Sequence, residues 1–179
     1  ALHCLTQAVY YEAGIEPLDG QRAVAQVVLN RLRHPAYPKT VCGVVYQGSQ
    51  RSTGCQFTFT CDGSLARAPG AGLWRQARQV AEAALAGKVY KPVGWATHYH
   101  TNWVVPYWSS SLVKAAVVGT HIFYRWTGGW GTGPAFKGRY AGVEPDTSTL
   151  ARLAAADSTD AAAAGARAGI ASRPPDGLA

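Results

Sequence analysis

Four cysteines, Cys4, Cys42, Cys55 and Cys61, stand in this chain, and no two of them have the Cys-x-x-Cys spacing of a zinc ribbon or a redox dithiol. An even number without that spacing points to two disulfides formed in an oxidising compartment, and two crosslinks restrict a fold strongly. Sequence alone permits three pairings. Cys55 and Cys61 flank Gln56-Phe-Thr-Phe-Thr60, a separation that suits a local staple and leaves Cys4 to tie the first helix to Cys42. The alternative is a set of buried free thiols. A periplasmic or extracellular location follows from the disulfide reading. No signal peptide is visible and the chain opens at Ala1 in a helical pattern, so it reads as a mature or trimmed form. No apolar run is long enough to span a membrane.

A length of 179 residues suits one domain with a real core, with room for an appendage. Residues 1–130 hold twelve Lys and Arg against five acids, so the whole net charge of +7 lies there and the last 49 residues balance. A basic folded part favours an anionic partner: nucleic acid, anionic polysaccharide or membrane surface. The cations are scattered singly or in pairs such as Arg31 and Arg33, without the basic cluster that nucleic acid or lipid would select. That weakens both the nucleic-acid and the membrane readings, and no nucleic-acid partner is expected.

Leu2, Leu5, Val9 and Ala13 recur at helical spacing until Gly14 and Pro17 close the segment, with Glu12 in its last turn. Asp19 reads as the N-cap of a second helix through about Arg33, with Val24, Val27, Val28 and Leu32 inward and Pro35 as the stop. Loops surround a short turn at residues 40–47. Phe57-Thr-Phe-Thr60 alternates at period two and predicts a strand of a small hairpin, with Asp62-Gly63 beyond it. A third helix is predicted from about Gly72 to Leu85, with Leu73, Ala77, Val80 and Ala84 on one face and Gly87 after it.

Between Tyr90 and Trp108 the chain carries Tyr90, Trp95, Tyr99, Trp103, Tyr107 and Trp108 together with His98 and His100. Pro92, Gly94 and Pro106 among β-branched residues favour strand and loop over helix. Such a segment suits a groove wall, because aromatic faces stack on the C–H faces of sugars while His and Asn tips bond hydroxyls and N-acetyl groups. Trp95 and Tyr107 are expected in the core. Residues 117–126 read as one apolar strand-like run. Gly128-Gly-Trp-Gly-Thr-Gly133 reads as a flexible link, so the boundary of the folded domain (1–126) is drawn at Trp126. The extension 127–179 is Gly-rich, then Ala-rich, and is expected to be accessory, flexible or weakly helical. No internal repeat is evident.

Glu12 is the conspicuous acid. A carboxylate placed beside Tyr10 and Tyr11 in so basic a region is costly unless it is used, which makes it a candidate for proton chemistry.

Ala8-Val-Tyr-Tyr-Glu-Ala-Gly-Ile-Glu16, Gly20-Gln-Arg-Ala-Val-Ala-Gln-Val-Val-Leu-Asn-Arg31, Pro38-Lys-Thr-Val-Cys-Gly-Val-Val-Tyr46 and Gln56-Phe-Thr-Phe follow one another in an order that resembles the SleB-type cell wall hydrolases, the spore-cortex-lytic enzyme family. The resemblance spans about residues 4–126. It implies an α+β, lysozyme-like or lytic-transglycosylase-like fold, mostly helical, with a small β element beside a groove for peptidoglycan glycan strands. It also implies a single essential glutamate, here Glu12, and no cofactor or metal. In that chemistry Glu12 protonates the oxygen between N-acetylmuramic acid and N-acetylglucosamine. It then takes the proton of the muramoyl C6 hydroxyl as that oxygen closes on C1, giving a 1,6-anhydro product. Tyr11, Gln56, Phe57, His98, Tyr99, His100, Asn102 and Trp103 are the expected substrate contacts, and a monomer is expected. The cysteines and Thr97-His-Tyr-His-Thr-Asn102 look like the version found in Gram-negative bacteria, and Gly14-Ile15 replaces the family's Arg-Gly.

Three rival readings remain. Glu16 or Asp62 as a second acid would give muramidase-type hydrolysis; the structural reading makes Glu16 a cap paired with Arg22 and Asp62 a turn former. His98, His100 and His121 would suit a zinc amidase or peptidase, because His-x-His on a strand puts two imidazoles on one face. A non-catalytic peptidoglycan-binding module would use the aromatic loop alone.

Overall fold

The computed structural model describes residues 1–51 and 54–149. Its body is built on α1 (Leu2–Ala13), α2 (Leu18–Arg33), the short α3 (Val41–Val45) and α4 (Ala71–Leu85). An antiparallel sheet of β1 (His98–Thr101), β2 (Val113–Val118) and β3 (His121–Arg125), in the order β1-β3-β2, covers one side. The architecture is the mostly helical α+β arrangement expected.

Helix α2 is central because it is apolar or small on more than one face. Its Ala25, Val28 and Leu32 join Leu5, Ala8 and Val9 of α1 and Ala77, Val80 and Ala81 of α4 in the larger core. Ala23 and Val27 turn the other way and pack with Val93, Ala96 and Phe123 against the sheet. The buried Asn30 fixes this junction: its Nδ2 donates to Gly94 O at 2.8 Å and Ala96 O at 2.9 Å, which places the entry to β1. Disulfides Cys4–Cys42 and Cys55–Cys61 fasten α1 to α3 and close the segment before α4.

Several local expectations change. Asp19 is not the N-cap of α2; Pro17 occupies that position and Asp19 sits in the first turn, paired with Arg22 at 2.9 Å. Arg22 is therefore not the partner of Glu16. Residues 57–60 form no strand, because no second strand offers a ladder; Thr60 N–H and Cys61 N–H instead donate to Phe57 O and Thr58 O in a 3-10 turn, Thr58–Thr60. The apolar run 117–126 is two strands: Gly119, at φ +58°, supplies the left-handed residue of a two-residue turn that joins β2 to β3. Tyr107 is 95 % exposed, outside the core, while Trp95 is half-buried against Phe136.

Packing also continues past Trp126. His34 is buried, donates from Nε2 to Trp130 O at 2.9 Å and contacts the ring of Phe136, which is itself only 1 % exposed. Gly138 N–H donates to Arg33 O and Ala141 N–H to Lys39 O. The Glu144 carboxylate accepts from Val41 N–H at 3.1 Å and Cys42 N–H at 2.8 Å at the start of α3. The expected glycine link is thus part of a strap that returns over α2 and α3, driven by the aromatic groups set between its glycines. The alanine-rich stretch from residue 150 lies outside the described residues. Among the described residues no helix is long and apolar enough to cross a membrane.

Candidate active site

Glu12 occupies the last turn of α1, and its half-buried carboxyl meets the sheet: Tyr99 of β1 donates its hydroxyl to Glu12 Oε2 at 2.8 Å. Burial pushes the Glu12 carboxyl above its ordinary range; the Tyr99 hydrogen bond and the Arg31 charge oppose that rise, and Asp62 adds to it slightly. Burial, and then the Glu12 charge, hold the Tyr99 phenol well above its ordinary range, so it stays a donor.

Glu12 stands where two concavities meet. One, of about 290 Å³, is lined by Arg31, Gln56, Thr58, His98, Tyr99 and Trp108. The other, of about 300 Å³, is lined by Tyr10, Tyr11, Ile15, Glu16, Trp103 and His121 among others. A chain crossing both would pass the carboxyl in mid-course. A larger hollow of about 520 Å³ between α2 and α4 contains neither Glu12 nor its neighbours.

Arg31 is the functional residue missed in the sequence. It is 3 % exposed, its Nε donates to Thr97 O at 2.6 Å, and its guanidinium lies 5.1 Å from the centre of the Phe57 ring. With the Gln56 amide oxygen facing it, Nη1 and Nη2 both donate to that oxygen at 3.2 Å. The signal was present: Arg31 continues the stripe of Val24, Val27 and Val28 at helical spacing, so a helix with that face inward has to bury a cation. Trp108, 5.3 Å from the His98 ring, also lines this concavity; the sequence placed it in the aromatic segment but not among the expected substrate contacts.

The expected contacts divide. Gln56, His98 and Tyr99 line the first concavity, and Tyr11 and Trp103 the second. Tyr11 is stacked on Phe59 at 4.7 Å, and Trp103 is 70 % exposed. Phe57 is core, 2 % exposed beneath Arg31, and reaches neither concavity. His100 is held by Tyr124 Oη at 2.9 Å and by Thr101 O at 2.8 Å and lines neither concavity. Asn102 is exposed in the loop after β1, outside both concavities.

Of the two further acids, Asp62 is exposed and accepts from Ser64 N–H at 2.8 Å, the turn-forming role. Glu16 lines the second concavity, but its oxygens accept from the hydroxyl and N–H of Thr120. The zinc arrangement does not form. Register pairs His121 with Thr101 and Tyr99 with Phe123, so His121 lies on the opposite sheet face from His98 and His100. Among the described residues no three metal-ligating side chains converge. His98, its Nδ1 2.9 Å from Thr97 Oγ1, has a pKa lowered to about 4, chiefly by burial and then by Arg31, so it is neutral near pH 7.

The model of the cell wall hydrolase family matches residues 15–124, a segment that begins just after Glu12. The chain is 36 % identical over 128 residues to the spore cortex-lytic enzyme of Halalkalibacterium halodurans, covering 68 % of this chain and 34 % of that protein. It is 33 % identical to the spore cortex-lytic enzyme of Bacillus subtilis, covering 68 % and 36 %. The chain thus spans about a third of the length of these curated relatives. Among solved structures it is similar to the catalytic domain of the germination-specific lytic transglycosylase SleB from Bacillus anthracis, with TM-score 0.57, 30 % identity, and coverage of 69 % of this chain and 93 % of that one. The catalytic domain of Bacillus cereus SleB aligns with TM-score 0.56 and 30 % identity over 69 % and 88 %. With the helical body, the three-stranded sheet and the cleft at the end of α1 all in hand, these matches show that the chain belongs to the SleB-type cell wall hydrolase family.

Proposed function

We propose that this chain is a peptidoglycan lytic transglycosylase that cuts between N-acetylmuramic acid and N-acetylglucosamine, with Glu12 as its acid and base. The observation that carries this reading is a single carboxyl of raised pKa at the junction of two concavities, with the other acid that lines them, Glu16, already bonded to Thr120. A glycosidase that hydrolyses through two flanking carboxylates needs a second free one; intramolecular closure by the sugar's own hydroxyl does not.

Burial raises the Glu12 pKa and so favours the protonated carboxyl, the form that donates to the glycosidic oxygen. Once it has donated, the carboxylate is held by the Tyr99 hydroxyl and the Arg31 charge, and is placed to take the C6 hydroxyl proton as that oxygen bonds to C1. The leaving sugar departs with the first proton and Glu12 ends protonated, so the cycle closes without water. Trp108 in the first concavity and Trp103 in the second, both of which include Glu12, offer faces for sugars on either side of the scissile bond. The chain works as a monomer in the periplasm or outside the cell; the two disulfides and the cell-envelope family support that location.

Mass spectrometry of muropeptides released from purified sacculi tests this. Wild type is expected to release 1,6-anhydro-muropeptides with or without chelator, and Glu12→Gln to release none. Reducing-end products would overturn the transglycosylase reading in favour of hydrolysis, and undiminished release by Glu12→Gln would remove Glu12 from the chemistry.

A further inference from the structure

We propose that Glu16, through Thr120 and His121, is the positioning residue that holds Tyr99 on Glu12; this rests on the reading of Glu12 as the acid and base. Glu16 lies in the connection between α1 and α2, yet its side chain is only 10 % exposed. Its carboxylate accepts from the Thr120 hydroxyl and from Thr120 N–H at 3.3 Å, gripping the turn between β2 and β3. His121 Nδ1 stands 4.0 Å away and has no hydrogen-bond partner among the described residues.

The slot for this carboxylate is made by glycines. A Cβ at Gly119, where φ is +58°, would collide with Glu16 Oε2, and a Cβ at Gly20 would come within 2.9 Å of Glu16 Cβ. A buried carboxylate and an unpaired imidazole nitrogen are unfavourable as stability devices, whereas a point of registration between two elements explains both.

Registration has a visible path. The His121 ring meets the Tyr99 ring edge-on at 5.2 Å, and β3 pairs with β1 through His121↔Thr101 and Phe123↔Tyr99. Glu12 and Glu16 therefore grip the same sheet at two points, one through Tyr99 and one through Thr120. The groups that face this cluster are His121 from β3, Tyr99 from β1 and Glu12 from α1. Burial, Tyr99, Arg31 and Asp62 set the acidity of Glu12, so Glu16 acts on it through the placement of Tyr99.

The test is a ¹³C NMR titration of the Glu12 side-chain carboxyl, assigned with Glu12→Gln, in wild type, Glu16→Gln, Thr120→Val, Tyr99→Phe and the Tyr99→Phe/Thr120→Val double variant. A hydroxyl hydrogen bond favours the carboxylate, so each single variant is expected to raise the midpoint by about 1 pH unit, and the double variant no further than Tyr99→Phe. An unmoved midpoint in Thr120→Val, or an additive rise in the double variant, would overturn the proposal and leave Glu16 a fastener of the turn. Thr120→Val changes one hydroxyl and keeps the test open if Glu16→Gln does not fold. The titration needs no turnover, so inactive protein with intact coupling would count against the glycosidase reading alone.

Discussion

Phe136→Ala is the substitution that separates a strap that holds the domain together from a dispensable extension. The Phe136 ring is 1 % exposed, lies 4.7 Å from the Trp95 ring and 5.0 Å from the His34 ring, and is the largest buried side chain among the described residues beyond Trp126. Removing a fully buried phenyl forfeits about 2–3 kcal/mol of transfer free energy, and the cavity left behind brings such changes to about 3–5 kcal/mol. Collapse is restricted here, since His34 is pinned by Trp130 O and by Ala36 N–H, which favours the middle of that range, about 4 kcal/mol. Guanidinium unfolding followed by tryptophan fluorescence reads it as a lower midpoint at unchanged slope, and a thermal scan as a fall of roughly 8–16 °C. Val143→Ala, at a side chain 80 % exposed in the same strap, is the control and is expected within about 0.5 kcal/mol of wild type. A loss below about 1 kcal/mol for Phe136→Ala would refute the strap as a stabilising element and return the boundary to Trp126.

Replacing Cys4 and Cys42 with alanine opens a loop of sequence separation 38 and is expected to cost about 4 kcal/mol on the chain-entropy estimate, measured by denaturant unfolding; a loss under 1 kcal/mol would contradict it. Gly119→Ala forces a left-handed position onto a side chain and drives its Cβ into Glu16, so a loss of at least about 2 kcal/mol is expected, against a near-neutral Gly63→Asn, where φ is also positive and the space is open. His98 is expected to titrate by NMR near pH 4. Its folded pKa lies below the unfolded value near 6.5, so the unfolded state binds more protons between those limits and stability should fall as pH drops through that window. His98→Gln is expected to flatten that part of the stability curve, and a midpoint near 6.5 in wild type would contradict the burial argument.

The helices were legible because their periodicity is local. Val24, Val27, Val28 and Leu32 carry the inward stripe of α2 on their own, and Gly14 with Pro17 ends α1 close to Glu12. Where a pattern could serve two structures, reading failed. Phe57-Thr-Phe-Thr alternates like a strand, yet both phenyl rings reach the core from a 3-10 turn, because burial asks only that the rings point inward. Gly119-Thr120 hid a hairpin turn inside an apolar run, and the glycines around Trp130 looked like a linker although the aromatic groups between them anchor it.

By itself, then, the sequence determined the helical body, the position of one acid at a helix end and the membership of a family with a peptidoglycan vocabulary, since all three rest on contiguous motifs and short periods. Only the tertiary structure decided what surrounds that acid. Tyr99 reaches Glu12 across 87 positions and Arg31 reaches Thr97 across 66, and the histidines part to opposite faces through the pairing of β1 with β3. Such meetings depend on strand register and on how α2 sits between the core and the sheet. Both are settled by packing of distant segments, which leaves no local trace in the order of residues.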